Sequence, residues 1–333
     1  MINVRRKIVS TAVIVTVGIA GLVFANSQTI TDNIIALQYN TSEEMQNIID
    51  AVGMTDGSNV VFKASKPVLH KTQQFNELCG GFEDKDSVHV LGCYTGSNIH
   101  LFEVSDERLE GMTEVTAAHE LLHAVYNRLN FFEKTKIKNL LVEEYESLIK
   151  KNPELEERMQ AYSDLEESQF INELHSVLGT EVGTLSPELE SYYNKIFKNR
   201  KEVFSLFNSY TTYMKELSVQ INNITDKLGK LNDDIDEKTL AYQSSVDLFN
   251  KDVDVFIQRN QNREFSGNPE EFYRIKDELS LRESQLDDEL ANLNASVVEY
   301  NKLRDELILL DETATDIVKS MDSKFAAPKQ VAE

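Results

Sequence analysis

Residues 113–130, Thr113-Glu114-Val115-Thr116-Ala117-Ala118-His119-Glu120-Leu121-Leu122-His123-Ala124-Val125-Tyr126-Asn127-Arg128-Leu129-Asn130, decide how the chain is read. Free of Pro and Gly, they predict one helix, with Thr113 able to cap its start. His119 and His123 stand four residues apart, so they project from one face. Both imidazoles then reach a single metal ion about 2 Å from their nitrogens. Glu120 lies about 100° around the helix from His119, beside the metal, where it can take a proton from water. Ala117, Ala118, Leu121, Leu122 and Val125 surround these groups with apolar surface, as for a helix buried in a domain. An H-E-x-x-H run is expected by chance only roughly 0.01 times in a chain of this kind, so the spacing carries weight.

Upstream, Ser27 to Gly53 reads as helical, with a cap at Thr41 or Ser42 and a stop at Gly53. Asp56-Gly57-Ser58-Asn59 has turn chemistry, and an extended run from Val60-Val61-Phe62 reaches Leu69, with Pro67 marking its end. Cys79-Gly80-Gly81 turns the chain. Ser87 to Tyr94 and Asn98 to Val104 read as two strands of a hairpin joined by Thr95-Gly96-Ser97. His70, His89 and His100 fall on these strands or turns and read as structural. The only two cysteines, Cys79 and Cys93, form one disulfide or remain two buried thiols. Downstream, helices are expected over Phe131 to Lys151 and, after Asn152-Pro153, over Glu154 to Leu178 with a stop at Gly179. Another opens at Ser186-Pro187.

A zinc site needs a third protein ligand and an open position. Asn172-Glu173-Leu174-His175-Ser176 lies on the third of these helices. Through His119, Glu120 and His123, together with Asn172, Glu173 and Ser176, the sequence resembles the gluzincin-type zincin metallopeptidases. That resemblance implies a zincin-like domain, Zn2+ as cofactor, Glu173 as third ligand and Glu120 as general base in peptide hydrolysis. It also implies that a strand ahead of the metal-bearing helix, here Asn98 to Val104, offers its edge to extended substrate. The residues themselves leave His175 as a rival ligand, and Asp164 and Glu144 as further carboxylates. Tyr162, His175 and Tyr192 are all available to stabilise an oxyanion.

At the N-terminus, Arg5, Arg6 and Lys7 precede 18 uncharged residues, Ile8 to Ala25. As a helix these reach about 27 Å, near the thickness of a bilayer's hydrocarbon. Basic residues before the run keep the N-terminus cytoplasmic and send the rest outward. Val23-Phe24-Ala25 also allows cleavage as a signal peptide, which would make the protein secreted. The net charge of −22 excludes nucleic acid as a partner. Leu217, Ile221, Ile224, Leu228, Leu231 and Ile235, then Leu279, Leu286, Leu293, Tyr300 and Leu307, follow coiled-coil spacing on either side of Ser266-Gly267-Asn268-Pro269.

The expected fold is therefore α+β. Residues 1–26 are a transmembrane anchor or signal peptide, and 27–208 a zincin-like domain with a small sheet and the H-E-x-x-H helix. Residues 209–325 form a long antiparallel coiled-coil hairpin, and 326–333 a disordered tail. The expected activity is that of an exported, membrane-anchored zinc metallopeptidase acting on a peptide or protein, with the hairpin available to a protein partner or to self-association. The alternative is an envelope coiled-coil scaffold whose zincin-like domain is inactive or structural.

Overall fold

The computed structural model describes residues 27–79, 91–104 and 106–321. The expected anchor or signal peptide at 1–26, the tail at 326–333, Gly80, Gly81, His89 and residues 87–90 of the first hairpin strand lie outside them. The described chain is mostly helical, with one three-stranded sheet, in keeping with the α+β class. It divides into two compact units, Met1–Tyr213 with Ile317–Glu333, and Met214–Asp316.

In the first unit, α1 (Ser27–Gln38) and α2 (Glu43–Val52) are separate helices. Ser42 caps α2 by accepting the Met45 N–H, and Gly53 ends it in the left-handed conformation that favours glycine. The turn and strand expected across 56–62 are instead α3 (Asp56–Ala64). Thr55 caps this helix by accepting the Ser58 N–H, and Ser58 and Phe62, four apart, turn to the interior. That tertiary burial, together with a Ser58 hydroxyl bond to the Ile196 carbonyl (2.5 Å), outweighs the β preference of Val60 and Val61.

β1 (Val68–His70), α4 (Thr72–Cys79), β2 (Gly92–Tyr94) and β3 (Ile99–Phe102) follow. β2 and β3 form the expected hairpin, with Tyr94 opposite Ile99. β1 adds in parallel on the other side of β3, pairing Leu69 with Leu101, so the order is β1-β3-β2. The strand expected to offer its edge to substrate is thus the central one. All four β3 residues are buried, and both of its edges are taken. Cys79 of α4 and Cys93 of β2 are joined in a disulfide and pack with Phe75 and Phe102.

α5 (Met112–Arg128) carries the motif; Gly111, rather than Thr113, stands at its N-cap. α6 (Phe131–Leu148) opens on a capping box made by Asn130 and Glu133. The single helix expected over 154–178 is two, α7 (Pro153–Gln160) and α8 (Glu167–Glu181). Gly179 does not stop α8; it lies inside it. A Cβ there would collide with Leu122 and come within 2.8 Å of the Tyr193 ring, so the missing side chain lets α8 press onto α5. Leu121 and Leu122 of α5 and Leu174, Val177 and Leu178 of α8 are fully buried in the main core. Each such side chain stabilises the fold by about 1.5–3 kcal/mol. α9 (Pro187–Tyr193) begins at Pro187, as expected.

α10 (Arg200–Gln261) opens inside the first unit, where the buried Arg200 guanidinium donates to the Val182 and Gly183 carbonyls and to Glu190. In the second unit, α10 turns through a short 3-10 segment (Glu264–Gly267) into α11 (Pro269–Met321). Arg259 pairs with Glu271 and Arg282 with Asp252, and Phe256, Phe265 and Phe272 pack together, so the two long helices run antiparallel at this end.

Candidate metal centre

Helix geometry sets His119 and His123 one turn apart on α5, with ring centroids 4.8 Å apart. α8 crosses the same face and presents Glu173. One Glu173 carboxylate oxygen stands 3.6 Å from His119 Nε2 and 3.5 Å from His123 Nε2. Three ligand atoms, one from each residue, lie within 4.8 Å of one another. The two imidazole-to-carboxylate separations are long for hydrogen bonds. They lie close to the edge of a tetrahedron about a metal, roughly 3.3–3.5 Å for ligand bonds of 2.0–2.1 Å. Two neutral nitrogens and one carboxylate oxygen are a donor set that suits zinc, so these residues fit the ion that the motif implies.

Ser176 supports the arrangement from one turn along α8. Its hydroxyl lies 3.3 Å from the His119 carbonyl, to which it donates, and 3.3 Å from His123 Nδ1. With its proton given to the carbonyl, the Ser176 oxygen accepts the Nδ1–H of His123, which leaves the Nε2 lone pair of His123 facing Glu173. Burial pushes the His123 imidazole down. His119 is also lowered by burial, but the carboxylates of Glu173, Glu120 and Glu181 outweigh that and raise it. Glu173, raised by burial, is brought below its usual range by His123 and His119, with Arg158 contributing.

Glu120 is buried at the outer edge of β2. The Phe102 N–H to Leu91 carbonyl and Thr95 N–H to Asn98 carbonyl bonds point toward β3, so Gly92 and Tyr94 direct their backbone groups outward. There the Tyr94 N–H serves the Glu120 carboxylate. A Cβ on Gly92 would sit 2.9 Å from Glu120 and 2.6 Å from Thr116, so only glycine lets the strand lie this close to α5. Burial pushes Glu120 up to about 7, with Glu173 adding and His119 and the Tyr94 N–H opposing.

The other sequence candidates are placed elsewhere. His175, on the same helix as Glu173, is fully buried. Its Nε2 lies 2.9 Å from the Tyr192 hydroxyl, and its ring packs on Tyr126 and Tyr193. Burial pushes it down to about 3, so it is a neutral core residue. Tyr192 is thereby engaged with His175. The Tyr162 ring faces the Arg158 guanidinium at 5.6 Å. Glu144 accepts the Ser186 N–H, and Asp164 is exposed. His70 and His100 share a hydrogen bond of 3.0 Å between neighbouring strands.

Two contributors were not read from the sequence. Arg158 of α7 pairs with Glu181 of α8 through two contacts of 3.2 and 3.3 Å, and both charges act on the triad. No spacing joins residues on separate helices. Gly92 was legible in principle, since a glycine within a strand marks a close backbone approach. Comparison with protein-family models, with curated proteins and with solved structures finds no match.

Proposed function

We propose that the chain is a zinc-dependent peptidase in which His119, His123 and Glu173 hold the metal and Glu120 is the general base. One observation carries this reading: the Glu173 oxygen at 3.6 and 3.5 Å from two imidazole nitrogens, on helices locked together by the core. When bound, zinc supplies Lewis acidity to a water molecule and to the peptide carbonyl. Glu120 takes the water proton on its carboxylate and passes it to the leaving amine nitrogen as the C–O bond forms and the C–N bond breaks. Gly92 and the Tyr94 N–H hold that carboxylate in place. Extended substrate passes the outer edge of β2, beside Glu120, rather than pairing along β3, whose two edges are taken.

In the same reading residues 8–25 anchor the protein in a membrane with the catalytic unit outside. The long hairpin serves a protein partner or self-association. Metal analysis of the full chain and hydrolysis of a peptide library, with Glu120→Gln alongside, form the test. Wild type and variant should both bind one zinc per chain, while turnover falls by about 10²–10⁴-fold in the variant. Bound zinc without turnover on any peptide would transfer support to the scaffold alternative. Wild type that takes up no zinc would overturn both.

A further inference from the structure

We infer that the outward face of α1 is a lipid-contact surface that seats the first unit on the bilayer; this rests on the reading of residues 8–25 as a retained anchor. The inward face of α1 is committed to the protein. Asp32 is buried and accepts from the Arg128 guanidinium of α5 at 2.8 and 3.1 Å and from Gln28 at 3.1 Å. Just past the helix, the Tyr39 hydroxyl donates to the Pro67 carbonyl at 2.7 Å. The opposite face is uncovered among the described residues. Ile30, Ile34 and Leu37, spaced four and three apart, form one stripe there and are 45%, 51% and 87% exposed. Leu37 is the most exposed large apolar side chain described.

Charge separates this helix from an ordinary surface helix. From Ile8 to Ser42 the chain carries a single charged residue, Asp32, and that one is turned inward and matched by Arg128. The outer face therefore offers water only Ser, Thr, Asn and Gln around an apolar stripe. An apolar stripe with no charge around it can enter the headgroup boundary without desolvating an ion. Position supplies the occupant. Ile30 follows Ala25, the end of the expected anchor segment, by five residues, a reach of at most about 18 Å. The stripe thus emerges where the chain leaves the bilayer. A surface this small would bind lipid weakly by itself, but the anchor raises its effective concentration.

The test uses the full chain reconstituted into phosphatidylcholine–phosphatidylglycerol vesicles. Both described cysteines are in the disulfide, so Leu37→Cys provides a unique thiol for a polarity-sensitive nitrobenzoxadiazole label. Flotation reads the anchor, and quenching reads the face. The expected result is a chain that floats, with label emission lost to nitroxide-bearing lipid and insensitive to aqueous iodide. A floating chain whose label is quenched by iodide alone overturns the inference and leaves the anchor standing. A label shielded from both quenchers also overturns it, assigning the stripe to residues 8–25 or to a second copy, which cross-linking separates. A chain that does not float removes the anchor reading and the inference together.

Discussion

At the scale of single residues, the assignment of the third ligand turns on two neighbours on α8, Glu173 and His175. They sit two positions apart, about 200° around a helix, so one faces α5's histidines while the other enters the core. Glu173→Ala should therefore weaken zinc binding by more than the ~10–100-fold that a lost supporting hydrogen bond costs, and Ser176→Ala by about that amount. His175→Ala should keep zinc at one per chain yet lose roughly 2–4 kcal/mol of stability, through a cavity and an unpartnered Tyr192 hydroxyl. Metal titration and chemical denaturation on the same three variants read both effects. Loss of zinc in His175→Ala with retention in Glu173→Ala would reverse the assignment.

Elements decide how precisely Glu120 is held. β2 is pinned to β3 by the hairpin and to α4 by the Cys79–Cys93 disulfide, and its glycine is what allows contact with α5. Gly92→Ala should displace the Glu120 carboxylate while leaving the three ligands in place. The expected outcome is a fall in turnover of about 10²-fold with unchanged zinc content; equal activity would show that β2 does not position the base. The neighbouring pair, His70 and His100, ties β1 to β3 and carries a pH signature. Burial lowers both, with the His70 charge also lowering His100. The unfolded chain therefore takes up protons first, so the stability these groups contribute is present above their unfolded pKa near 6.5 and lost as pH falls through it. The thermal midpoint should drop between about pH 7.5 and pH 5, and His70→Gln with His100→Gln should flatten that drop. An unchanged slope in the double variant would remove the pair as its source.

For the whole molecule, a metal held between α5 and α8 would couple occupancy to stability, because both helices supply residues to the main core. Removing zinc with a chelator should lower the calorimetric midpoint of that unit and restoring it should recover the loss, about 4 kcal/mol when zinc stands near 1,000 times its dissociation constant. A midpoint indifferent to chelator would argue against a metal between these helices. The hairpin unit, held by side-chain packing and by ion pairs such as Arg259 with Glu271, should keep its midpoint in the same scan.

By itself the sequence determined the α5 helix and its two histidines, the β2–β3 hairpin, Pro187 at the start of α9 and the long helices. In each, period, cap or turn chemistry within a few residues suffices. It carried Glu173 only as far as a resemblance, with His175 on the same helix as its rival. Tertiary structure turned one toward α5 and the other into the core. It also made residues 56–64 helical, because burial of Ser58 and Phe62 outweighs the preference of Val60 and Val61. β3 became central because β1, distant in sequence, docks on its free side. Contacts between separate elements, such as Arg158 with Glu181 or Gly92 with Glu120, leave no periodic trace in the chain, and only packing brings them together.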